Sequence, residues 1–244
     1  MGAKLTSVTA VANVSFPPSV DTRASETVAL QQPLEIPMFD RPLYPSLRSS
    51  PGPRPTGAKL ALKSVHVWGV RIRLQVALRA RDLALFELAL DSKLRGCDLV
   101  ALKVSDLMSR SGVRSRVMIL QRKTGRPVQF EVTEQTRRSV AAWTERKTLG
   151  PDDWLFPSRN KAAAHLSTRQ YARLVDRWVA LIGLDPAGYG TNSMRRTKVS
   201  LLYKKTGNLR ACQLLLGHSK LESTVRYLGG EVDDALELSE ALEL

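Results

Sequence analysis

The sequence predicts a mainly helical domain with a small antiparallel β-sheet, an α+β class. Three observations carry this. Apolar residues recur at helical spacing through most of the chain from Asp82 to Leu228. Residues 114–132 alternate in the strand manner around a turn sequence. Nine of the thirteen prolines fall between Pro17 and Pro55, which separates a proline-rich arm, residues 1–57, from the body that follows. Proline at that density blocks both helix and sheet ladders, so the arm is expected to be disordered or extended.

Ordered structure is expected from about Lys59, and residues 64–78 fit either a helix or a strand. From Asp82, Leu83, Phe86, Leu88 and Leu90 make an apolar helix, and a short helix follows from Arg95 to Leu102 with Leu99 and Leu102 inward. Residues 114–120 and 127–132 pair as a β-hairpin around Lys123-Thr124-Gly125-Arg126, with Val128, Phe130 and Val132 on one face. Thr133 caps a helix reaching about Lys147, and Asp152 to Pro157 is loop. Ser167 and Gln170 form a capping box. The helix they open places Tyr171, Leu174, Val175, Trp178 and Ile182 on one face and stops at Gly183. Helices are expected near 193–206, 208–216 and 220–228, with Asn208 as an N-cap and Gly207 and Gly217 as stops. An acidic helix, roughly 232–243, closes the chain, and no internal repeat is present. The domains are thus the arm 1–57, a body 58–230 and an acidic tail 231–244.

Charge narrows the function. Across the 244 residues 37 bases face 23 acids, a net charge of +14. Residues 231–244 hold six acids and no base, which leaves 37 bases against 17 acids, +20, in residues 1–230. Such an excess suits a polyanion, since phosphate contacts release counterions. No apolar run approaches the roughly 18 residues of a membrane span. No signal-peptide pattern opens the chain, so the expected location is cytoplasmic, bacterial or phage-encoded and associated with the nucleoid. Cys97 and Cys212 make neither a disulfide framework nor, with three histidines, a zinc site, and both read as core residues. No cofactor or metal is expected.

Four stretches carry the chemistry. They are Leu94-Arg95-Gly96-Cys97-Asp98-Leu99, then Lys123 in the hairpin turn, then Asn192-Ser193-Met194-Arg195, and finally Leu215-Leu216-Gly217-His218 with Tyr227 nine residues after the histidine. Singly, each residue has an ordinary reading as a surface pair, a solvated turn, a helix end or a packed ring. Together and in this order they resemble the catalytic domain of the tyrosine recombinases, the phage-integrase family, over about residues 60–230. The resemblance implies DNA cleavage and rejoining through a 3′-phosphotyrosine on Tyr227. It assigns Arg95 and Arg195 to the phosphate, Lys123 to the leaving oxygen and His218 to a hydrogen bond with the scissile phosphate.

Physical chemistry agrees with those assignments. Arginine's planar fork grips two phosphate oxygens and offsets the extra charge of a pentavalent transition state. A lysine on a hairpin can protonate a departing 5′ oxygen. A tyrosyl phosphodiester conserves bond energy for rejoining. Asp98 is expected to orient an arginine rather than touch DNA.

Two departures stand out. The family's second box begins with His where this chain has Asn192, and an amide cannot take a proton from tyrosine at neutral pH. The arm is also too proline-rich for the helical domain that usually precedes the catalytic one. The expected function is therefore a single-domain site-specific recombinase or integrase on double-stranded DNA, assembling as a dimer or tetramer, with an accessory DNA-bending protein as a further partner. Leu236, Leu238 and Leu242 would supply apolar contacts between protomers. Two alternatives remain open: a DNA-binding accessory protein that kept the fold and lost turnover, and a type IB topoisomerase-like relaxing enzyme.

Overall fold

The computed structural model describes residues 59–159 and 163–228. The arm 1–57 and the acidic tail 231–244 lie outside the described residues. Nine α-helices and two small antiparallel hairpins make up the described part. None of these helices is long and apolar enough to cross a membrane.

α1 (Ser64–Val76) is a helix. Val70 and Leu74 are buried on one side, while Val65, Trp68, Ile72 and Val76 are exposed on the other. Apolar residues on both sides blur the period, which is why sequence left helix and strand open here. α2 (Ala80–Ser92) is the central helix, buried from Ala84 to Ser92 and packed against α1, α5, α7 and the larger hairpin. It ends at Lys93, whose φ of 55° is left-handed. Residues 95–102, expected as one helix, hold only the single turn α3 (Gly96–Leu99), and α4 (Val104–Leu107) begins beyond them. Leu99 and Leu102 are buried as predicted.

A short ribbon, β1 (Met108–Ser109) with β2 (Gly112–Val113), leads to β3 (Arg116–Leu120) and β4 (Pro127–Glu131). The β3–β4 register pairs Val117 with Phe130 and Ile119 with Val128, and it puts residues 121–126 at the turn. Val128, Phe130 and Val132 face inward. In α5 (Glu134–Lys147) the Thr133 hydroxyl accepts the Thr136 amide, the cap the sequence predicts.

α6 (Thr168–Leu181) opens with the Ser167–Gln170 capping box. It buries Tyr171, Leu174, Val175 and Trp178, and Trp178 packs edge-on against Phe86 of α2 with ring centroids 5.5 Å apart. A 3-10 turn at Pro186–Gly188 precedes α7 (Thr191–Thr206), α8 (Leu209–Leu216) and α9 (Leu221–Leu228). Asn208 caps α8 by accepting the Ala211 amide. Gly207 and Gly217 end α7 and α8 in left-handed conformations. Val199, Cys212 and Leu216 form a small second core, while Cys97, expected in the core, is half-buried.

Gly217 joins this second core to the hairpin. A Cβ there would stand 2.7 Å from Val128 Cγ2 and 3.3 Å from Gln121 Nε2, and its φ is +66°. Gly125 also has positive φ, +61°, but with open space around it. A side chain at a left-handed position costs roughly 1–2 kcal/mol. Gly125→Ala should therefore cost about that much in urea unfolding. Gly217→Ala should cost at least about 1 kcal/mol more, because Val128 must also move. Equal costs would show that the Gly217–Val128 approach is not tight.

Candidate active site

The site is built around a buried guanidinium. α7 starts cleanly because the Gly190 amide donates to Ser193 Oγ and the Ser193 amide donates to Gly190 O. That start directs Arg195, one turn in, toward the interior, where only 5% of it is exposed. Its Nε donates to Lys93 O at 2.7 Å and its Nη2 to Leu216 O at 2.5 Å. Both acceptors are carbonyls near helix ends, which leaves them free of intrahelical partners. Burial pushes the Arg195 pKa below its usual value, with Tyr227 opposing that shift. Arginine's high intrinsic pKa keeps it charged.

Arg95 is the residue just before α3, half-buried, and its Nη1 donates to Gln121 Oε1 at 2.5 Å. Asp98 makes no hydrogen bond to an arginine side chain, though its charge acts in support of the Arg195 charge. Its Oδ1 accepts the backbone amide of Arg122 at 3.0 Å, which ties the β3–β4 turn to α3. Lys123 is exposed at the tip of that turn, flanked by two tied residues, Arg122 and Thr124.

His218 follows the left-handed Gly217, and its Nδ1 shares a 3.1 Å hydrogen bond with the buried hydroxyl of Thr224. That bond turns the ring edge-on to Tyr227, centroids 5.4 Å apart. Burial first, then Arg195 and Arg95, depress the His218 pKa to about 4. The imidazole is thus neutral at neutral pH.

Tyr227, on the last turn of α9, is half-buried beneath cations. Arg195 Cζ lies 5.4 Å and Arg196 Cζ 4.9 Å from its ring centroid. Its hydroxyl donates to the backbone oxygen of Asn192 at 3.3 Å. Burial raises the phenol's pKa, and the pull of Arg195, Arg196 and Arg95 opposes the rise without overcoming it. The Asn192 side chain is exposed.

Of the six predicted site residues, Arg95, Arg195, His218 and Tyr227 come together, Arg95 from 100 or more residues before the other three. Asn192 contributes its carbonyl to the cluster, and Lys123 is exposed on the turn that Gln121 and Asp98 join to the Arg95 segment. Sequence reasoning missed Gln121, Thr224 and Arg196. Arg196 anchors to Lys59 O at 2.7 Å while covering the tyrosine ring. Its place beside Arg195 was the only available signal. Gln121 and Thr224 belong to no pattern.

A family model described as the phage integrase family matches residues 72–231. The tyrosine recombinase XerD of Xanthomonas campestris pv. campestris is 31% identical over 159 residues, which are 62% of this chain and 48% of that protein. The chain thus spans about half the length of the XerD relatives it matches. The crystal structure of XerA recombinase superposes with a TM-score of 0.59 at 18% identity, over 73% of this chain and 61% of that one. A pre-cleavage complex of the XerH site-specific recombinase bound to its difH substrate gives a TM-score of 0.58 at 19% identity, over 70% of this chain and 51% of that one.

The depressed His218 pKa has a consequence for stability. Between the ordinary histidine value of 6.5 and the folded value of about 4, the unfolded chain binds the proton and the folded chain does not. Stability from this group is complete above pH 6.5 and falls as pH is lowered through that window. The thermal midpoint should drop on going from about pH 7 to about pH 5, and His218→Gln should drop less. Equal drops in both proteins would remove His218 as the cause.

Proposed function

The chain belongs to the phage integrase family and has the fold of tyrosine recombinase catalytic domains, and we propose that it cleaves and rejoins double-stranded DNA at a specific site through Tyr227. One observation carries the proposal. A half-buried tyrosine on α9 lies against the Arg195 and Arg196 guanidiniums of α7 and the neutral imidazole of His218, with the charge of Arg95 acting on it from the residue before α3, and Arg95, Arg195, His218 and Tyr227 keep the order and spacing of the family's boxes.

In this reading Arg95 and Arg195 bind the two non-bridging oxygens of the scissile phosphate. Arg195 is held by two carbonyls, so little of it reorganises as charge develops on the phosphorane. His218 donates a further hydrogen bond to the phosphate, its orientation set by Thr224. Tyr227 Oη attacks phosphorus and gives up its proton to solvent water, the Oη–P bond forms and the P–O5′ bond breaks. Lys123 gives a proton to O5′, and the 5′ hydroxyl of a partner strand later reverses the step. The Tyr227 hydroxyl first leaves the Asn192 carbonyl, a contact that favours the protonated phenol. Residues 1–230 carry the charge excess that favours a DNA partner.

A specific feature favours a second reading, in which the chain binds DNA without turnover. Position 192 offers no imidazole, and its exposed amide cannot take the tyrosine proton. Assembly as a dimer or tetramer on DNA belongs to the first reading. A DNA-bending partner belongs to the same reading.

The test uses nicked duplexes selected for binding from a pool with a randomised core, and it scores covalent protein–DNA product. The unaltered chain should form adduct, and Tyr227→Phe should bind equally and form none. Adduct from the Phe protein would sink the assignment of the nucleophile. A positioned base contributes about 10²–10⁴ in rate. Asn192→His should therefore raise the rate of adduct formation at least about tenfold, with little change in affinity. Unchanged rates would show that position 192 is not where a base is missing. No adduct from any of the three would favour the binding-only reading.

A further inference from the structure

Gln121 is almost entirely buried, with 1% of its surface exposed, at the point where β3 enters the turn. Its Oε1 accepts two hydrogen bonds, from Arg95 Nη1 at 2.5 Å and from Thr124 Oγ1 at 2.8 Å. Its backbone amide donates to Arg126 O at 2.9 Å, and its backbone oxygen accepts the Gly125 amide at 2.8 Å. The neighbouring Arg122 amide is held by Asp98, three residues after Arg95. The turn is therefore fastened on both sides of Lys123, and two of the fastenings run to the Arg95 segment.

Stability alone does not account for an amide at this position. Gln121 Nε2 is buried without a partner, and an unmade hydrogen bond of that kind costs about 1–3 kcal/mol. A leucine would fill similar space beside Val128 and Gly217 without that cost. A glutamate would satisfy Arg95 more strongly, but it would hold the guanidinium as an ion pair against any incoming phosphate. A neutral amide carbonyl orients Arg95 through one nitrogen and leaves its charge uncompensated.

Given the strand-transfer reading above, we infer that Gln121 is a positioning residue for leaving-group protonation: its buried carbonyl joins the Lys123 turn to the Arg95 guanidinium, so that the phosphate clamp and the proton donor are placed together. When Arg95 engages the phosphate, Thr124 and the turn come with it. Lys123 then reaches O5′ as the P–O5′ bond breaks and transfers its proton to that oxygen. Gln121 touches no reacting atom.

Sulfur substitution isolates this role. A 5′-bridging phosphorothiolate expels a thiolate, and with a free thiol pKa of about 8.5 that group leaves without needing a proton. The full chain and its Gln121→Leu and Lys123→Ala variants are compared on the selected nicked duplexes, with either the ordinary or the sulfur-bridged scissile linkage. On the ordinary linkage both variants should lose at least about tenfold in adduct rate. On the sulfur linkage both should return to within about threefold of the unaltered chain. Equal loss by Gln121→Leu on both linkages would overturn the inference, since the residue would then act through Arg95 or through folding alone. Full activity of that variant on the ordinary linkage would overturn it as well. Should Leu at 121 fail to fold, Thr124→Val, at an exposed turn position, carries the same test: a loss restored by sulfur supports the inference, and a loss not restored, or none, overturns it. Adduct from the unaltered chain on neither linkage would overturn the strand-transfer reading itself, and this inference with it.

Discussion

The two hydrogen bonds from Arg195 to Lys93 O and Leu216 O hold the site together. They stitch the end of α2, the first turns of α7 and the end of α8 to one planar, charged group. They add a polar tie between the large core around α2 and the small one around Cys212, and so between the Arg95 segment and the His218–Tyr227 segment. A guanidinium suits the task because its donors point in fixed directions and its charge survives burial. Removing one partner of a buried charged group costs several kcal/mol, so the arrangement tolerates little variation.

A second set of charges supports the first. Lys93 is buried to 2% exposure, yet its Nζ reaches Glu131 at 3.2 Å. Lys198 bridges Asp91 at 2.7 Å and Glu131 at 2.6 Å. Burial works to raise the Asp91 pKa, but hydrogen bonds from Lys198 and Thr136 outweigh it and hold the carboxylate below its usual range. Burial lowers the Lys93 pKa, with Glu131 opposing. The network connects α2, β4, α5 and α7 behind the Arg195 acceptors. It therefore fixes the Lys93 carbonyl on which Arg195 depends, at a residue whose left-handed backbone is itself unfavourable for a lysine.

The tyrosine is arranged differently from the arginines. Arg95 and Arg195 are held by polar contacts on their far sides and present their remaining donors to the cluster. Tyr227 is held on its hydroxyl, by Asn192 O, and on its ring, by cations and His218. Its hydroxyl is thus held by a backbone oxygen, whereas the guanidiniums are fixed by carbonyl and amide oxygens.

The sequence by itself determined the elements whose signals are local. Capping at Thr133, Ser167 and Asn208, glycine stops at Gly207 and Gly217, the apolar face of α6 and the alternation of β4 all act within about one helical turn or one strand, and each appears in the structure where it was read. Motif order and spacing likewise made Arg95, Arg195, His218 and Tyr227 legible as one cluster. Tertiary structure alone decided the helical state of α1, whose two apolar sides defeat a periodicity argument, and the end of α3 after one turn. It alone decided that Lys93 is buried, because the partner that permits burial, Glu131, lies 38 residues away. Arg195 finds its acceptors 102 and 21 residues away, and Gln121 meets Arg95 across 26. A lysine or glutamine reads as a surface residue until its distant partner is known. Its burial is unfavourable alone and becomes acceptable only through a contact that the folded chain creates.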